Sequence, residues 1–203
     1  MDDIVKQAMA KWPNVPDVYG WLSLDRRGNW LIKGETIGNP QITAFINRNY
    51  LHDEHGHWFF QNGPQRVFVE LAYTPVVYSV PGHPTSMALY THTHALVNEV
   101  HTAWIDDGGT LVLQTEHGTG HVHDQDLEWL LPCFVTDTGE AIDEDTLEVH
   151  FDAFATGQPA ALWFQYQSTR VKIEALHSSE AANKFGFNPH PHASAHAPTQ
   201  API

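Results

Sequence analysis

From Val67 to Thr169 the sequence contains no lysine and no arginine, although that span carries fifteen Asp and Glu. With a formal net charge of −14, this excludes a general binder of nucleic-acid backbones. Cys133 is the only cysteine, so neither an intrachain disulfide nor a cysteine-based zinc site can form. No apolar run approaches the roughly 20 residues a membrane helix needs, since Glu70 and Pro75 interrupt the longest one, around Val67–Val80. Met1-Asp2-Asp3 opens without the basic and apolar regions of a secretory signal, and a cytoplasmic protein is the expectation. The nucleophile elbow, phosphate loop, dinucleotide fingerprint and His-Glu-x-x-His are all missing, which points away from the common enzyme classes.

What is present is enough to fold: 42% of the 203 residues are hydrophobic and 11% aromatic. Ile4, Val5, Ala8, Met9 and Trp12 recur at helical spacing and end at Pro13, giving a helix over 2–12. From Tyr19 the period becomes two. Tyr19–Leu24 and Asn29–Lys33 read as a hairpin around Asp25-Arg26-Arg27-Gly28. Asn39-Pro40 opens a short helix carrying Ile42, Phe45 and Ile46. Strands follow at 57–61, 65–73 and 76–80.

A related order returns with strands at 102–105 and 110–115, a helical run 124–134, and strands at 147–151 and 161–173. Trp21 and Trp104, Gly38 and Gly120, and Gly56 and Gly139 keep nearly one offset, which points to internal duplication. The expected fold is α+β: two tandem repeats, each a β-hairpin, a short helix and further antiparallel strands. The expected divisions are 1–17 (helix and linker), 18–82 (first repeat), 83–100 (connector), 101–177 (acidic second repeat) and 178–203. The last segment, rich in Ala, Pro, His and Ser, is expected to be a disordered tail that can be removed without loss of stability.

Asp25–Gly28, Trp30–Lys33, Ile37-Gly38-Asn39-Pro40 and Trp58-Phe59-Phe60 together resemble an uncharacterised bacterial family of two tandem α+β repeats. Met1–Pro16 and Trp58–Arg66 resemble a closer proteobacterial group, also of unknown function. The resemblance implies a fold and a role in ligand binding or signalling, and supplies no catalytic residue.

Two constellations carry candidate chemistry. The turn Gln61–Arg66 lies between aromatic strands. There Arg66, Asn62 and Gln65, with Trp58 as a wall, form a candidate grip for a small anionic molecule at the junction of the repeats. In an alternative role, Arg66 locks the acidic second repeat onto the first. His92-Thr-His94 followed by Glu99 resembles the first metal motif of cupins, the basis for a divalent-metal site or a metal-dependent enzyme. Turn chemistry explains the first cluster and dispersed surface histidines explain the second, so the leading expectation is a non-enzymatic small-ligand or protein-interaction module.

Overall fold

The computed structural model describes residues 1–81, 87–158 and 160–193. It is an α+β structure built on two sheets. After helix α1 (Asp3–Lys11), the chain forms β1 (Val18–Leu24), β2 (Trp30–Ile32) and β3 (Glu35–Thr36). Helix α2 (Pro40–Arg48) follows, with Pro40 in its first turn and the Asn39 side chain accepting the Gln41 N–H at 2.9 Å. Such a cap satisfies an N–H that the helix itself cannot. Next come β4 (Tyr50–His52), β5 (Trp58–Asn62) and β6 (Gln65–Leu71). The sheet order is β3-β2-β1-β6-β5-β4, with β1 and β6 parallel.

The second sheet contains β7 (Val76–Ser79), β8 (Tyr90–Thr91), β9 (Val100–Asp106), β10 (Leu111–Thr115) and β11 (Gly118–Val122). After a 3₁₀ segment over Asp124–Cys133 it adds β12 (Phe134–Val135), β13 (Trp163–Tyr166) and β14 (Thr169–Leu176). Its order is β12-β13-β14-β9-β10-β11-β7-β8, with β9 and β14 parallel. Read from β11 to β12, six strands repeat the order of the first sheet.

Matching the two sheets by turn and register moves the expected landmarks. Asp25 accepts the N–H groups of Arg27 and Asn29, and Asp106 accepts those of Gly108 and Thr110. Gly28 and Gly109 take the left-handed conformation each turn needs. In this frame Trp21 matches Thr102 and Ser23 matches Trp104, so the two tryptophans are not equivalent. Gly38 and Gly120 also part company. Gly38 precedes the α2 cap, whereas Gly120 lies inside β11, where a Cβ would sit 2.5 Å from the Tyr78 ring. Gly120→Ala is expected to cost about 1–3 kcal/mol, the usual price of overpacking a filled core, read as a lower urea midpoint at unchanged slope.

Three further expectations give way. Residues 147–151 are not a strand, because helix α3 (Glu144–Ala155) occupies the region. Leu147, Val149 and Phe151 mimic a period of two, but Leu147 and Phe154 are the buried pair and Val149 is exposed. Asp143 caps this helix by accepting the Thr146 N–H at 2.8 Å. Strand β7, placed in the first repeat by the sequence, pairs in parallel with β11 of the second sheet. The 82/83 boundary itself falls on residues outside those described.

Nor is 178–193 an unstructured tail: helix α4 (Ala181–Phe185) packs onto the body, with Ala181 and Phe187 buried. Two apolar residues at the right spacing suffice once a groove exists to receive them. The part of the tail beyond Ala193 lies outside the described residues.

The core follows from this arrangement. One apolar cluster fills the second sheet beneath α3 and includes Cys133, whose thiol burial pushes up to about 11. Another spans both sheets, joining Leu22, Trp30, Ile46 and Leu71 to Val77, Trp104, Leu176 and Phe187. No described helix is long and apolar enough to cross a membrane.

Candidate functional site

Hairpin tips position the polar groups of this molecule. Five turns share one scheme, starting at Asp25, Asp53, Thr91, Asp106 and Thr136. In each, the first side chain accepts the backbone N–H four residues on, and the residue before that one has positive φ. A carboxylate or hydroxyl at the first position closes the loop, and glycine or an equivalent at the fourth relieves it. The tips at Asp25 and Asp106 come from matching positions in the two sheets, and they meet.

Their meeting point is a cleft of about 360 Å³, with Arg26 and Arg27 on one side and the Gly108–Leu111 loop on the other. Arg26 donates to the Thr110 hydroxyl at 3.0 Å, and its guanidinium lies 4.5 Å above the Tyr73 ring. Arg27 reaches Asp124 at 3.4 Å. Burial raises the Asp124 carboxyl, but the Arg27 charge and hydrogen bond, the His123 ring and the Gln125 N–H together outweigh it and hold the group below its usual range.

His121 forms the back wall. Its Nε2 faces the Arg26 carbonyl at 2.8 Å and its Nδ1 faces the Thr74 hydroxyl at 2.7 Å. A carbonyl only accepts, so Nε2 carries a hydrogen. Burial pushes this histidine down to about 4, against the pull of the Arg26 carbonyl.

The residues singled out from sequence do not converge. Arg66 is exposed, its guanidinium 5.0 Å above Phe59 of its own sheet, and it neither lines the junction cleft nor ties the two sheets together. Strand alternation sends it away from the face that meets the second sheet. Asn62 and Gln65 line a different groove, between α2 and the first sheet, and Gln65 donates to the Pro16 carbonyl at 3.0 Å. Trp58 borders a third cavity, of about 310 Å³, and shares it with His92.

His92, His94 and Glu99 are not gathered as ligands. Among the described residues, no three His, Cys, Asp or Glu side chains converge to hold an ion. The reason is local: His92-Thr-His94 lies in the Thr91–Ala95 turn rather than in a strand, so alternation does not align the rings. His94 is exposed in the left-handed region, and Glu99 is exposed. The His92 Nδ1 accepts the Val77 N–H at 3.2 Å, while its Nε2 is buried without a hydrogen-bond partner among the described residues. The rings of Trp30 and Tyr50 stand 5.4 and 5.6 Å from it. Burial pushes His92 down to about 3.

From the sequence alone Arg26 and Arg27 read as plain turn residues. The available signal was two adjacent arginines at a hairpin tip, in a chain whose second half is anionic.

The DUF2944 family model, described as "Protein of unknown function (DUF2946)", matches residues 1–192. A DUF1285 family protein from Silicibacter pomeroyi DSS-3 is similar in structure, with a TM-score of 0.50 at 13% identity, over 80% of this chain and 85% of that one. A DUF1285 family protein from Shewanella baltica OS155 matches with a TM-score of 0.37 at 15% identity, over 51% of this chain and 84% of that one. No curated protein matches the chain.

Proposed function

Because the chain belongs to the DUF2944 family, whose members carry no assigned function, we propose from its geometry that it is a binding module for a small oxyanion, a carboxylate or phosphate, held in the cleft between its two hairpin tips. The observation that carries this reading is the unspent donor capacity of Arg26 and Arg27. Each guanidinium has five N–H donors, and among the described residues each makes one side-chain hydrogen bond. The Thr110 hydroxyl stands on the opposite wall, and the Asp106 Oδ1 is taken up by two backbone N–H groups. Planar guanidinium forks suit carboxylate and phosphate bidentately.

The same contacts favour a second reading, in which the two arginines lock the acidic half of the protein to the rest. The readings differ in magnitude. The Arg27–Asp124 pair is more than half exposed on both sides, and such pairs contribute about 0–1 kcal/mol.

Inorganic phosphate and succinate titrated calorimetrically into the full chain are expected to bind saturably, and more weakly as salt rises. An Arg26→Ala/Arg27→Ala double variant is expected to lose binding while its unfolding free energy changes by less than about 1 kcal/mol. A folded double variant that still binds as the parent does would overturn the proposal. So would a parent that binds neither anion, and a large stability loss alongside that result would assign the arginines to the lock.

A further inference from the structure

A groove of about 440 Å³ runs between α2 and the first sheet, well separated in chemistry from the arginine cleft. Leu22, Ile46 and Phe60 are buried and form its floor. Trp21, Ile32 and Ile42 form its rim, with 52%, 44% and 45% of their surfaces open to solvent. Isolated exposed apolar residues are ordinary, but three large ones converging on one concavity are not. Asn62 and Gln65 stand at the edge of the groove, and among the described residues no Asp, Glu, Lys or Arg lines it. Nearby, Lys33 lies with its Nζ 3.9 Å above the Trp21 ring, as a cation over the ring face.

The geometry points to a binding site for a small uncharged amphipathic molecule, with an apolar body on the α2 side and a hydrogen-bonding end at Asn62 and Gln65. The size agrees, because ligand pockets commonly enclose about 300–1,000 Å³ and pair apolar walls with a few polar groups. Lack of charge in the lining selects a neutral ligand, since nothing there compensates the desolvation of an ion. A second copy of the chain fits poorly. About ten residues line the groove, where a stable protein interface takes roughly 20–30 per side. Two copies of net charge −14 would also repel.

The probe is N-phenyl-1-naphthylamine, a neutral apolar fluorophore, added to the full chain. Saturable binding of one equivalent is expected, with emission shifted to shorter wavelength and displacement by decanol. Ile42→Asp is expected to weaken binding on the order of tenfold or more, by placing a carboxylate on the apolar rim. Ile42 lies in the first turn of α2, where an acidic residue suits the helix dipole, so the fold should persist. Trp21→Ser tests the opposite rim through a different element, and Ile4→Asp, an exposed position on α1, is expected to leave binding unchanged.

The site is overturned if the parent shows no saturable binding, or if both rim variants bind the probe as the parent does. Sedimentation showing a dimer that Ile42→Asp dissociates would also overturn it, by making a second copy the occupant.

Discussion

A chain ending at His177 is expected to lose on the order of 5 kcal/mol of stability, comparable to the whole margin of many domains. The deleted segment buries Phe187 and Ala181 and sets Phe185 edge-on to Trp104 at 4.8 Å. Burying one large apolar side chain contributes about 1.5–3 kcal/mol. Truncation also strips backbone partners from three places. Leu71 N–H loses the Pro189 carbonyl, the Gly56 carbonyl loses Asn188 N–H, and Asp107 loses Ser178 N–H. A chain ending at Ala193 keeps all of these contacts and is the reference. Urea unfolding of the two chains measures the difference, and equal midpoints would show that the C-terminal segment contributes nothing to the fold.

Acid is expected to destabilise the protein before its carboxylates titrate. Burial pushes His92 to about 3 and His121 to about 4, while an unfolded histidine titrates near 6.5. Between those values the unfolded state holds more protons than the native one, so stability falls as pH falls. It is complete above about pH 7 and drops through the window from about 6.5 to 4, at roughly 1.4 kcal/mol per pH unit for each histidine. From pH 7 to pH 5 the two together cost about 4 kcal/mol. The charged neighbours act in both senses at His121, with Asp106 favouring its proton and Arg26 and His123 opposing it, and His94 and His121 oppose protonation of His92. Urea midpoints measured from pH 7.5 to 4.5 should show this slope, and His92→Gln and His121→Gln should each remove about half of it. A flat profile would mean that neither ring is held neutral by burial.

Most of the local elements are legible in the sequence, because their signals are short in range. Capping at Asn39-Pro40, the Asp-x-x-Gly turns and the alternation of Leu22 with Leu24 need only neighbouring residues to act. It also determined the charge segregation and the α+β class.

Tertiary structure decided everything that required a partner distant in the chain. Val76–Ser79 reads the same whichever sheet it joins, and pairing with β11 and β8 placed it in the second. Ala181 and Phe187 are too few to fold alone, and the surface around Trp104 and Leu71 makes them a core. Leu147–Phe151 fits both periods, and packing of Leu147 and Phe154 selected the helix. The candidate sites were the least legible part. Arg26 and Arg27 gain meaning only because the matching hairpin places Thr110, 84 residues from Arg26, against the first, and Asp124 meets the second, and Arg66 loses it because its strand turns it outward. A cleft is a relation between surfaces, and one-dimensional patterns of polarity record which residues can face inward without recording what they will meet there.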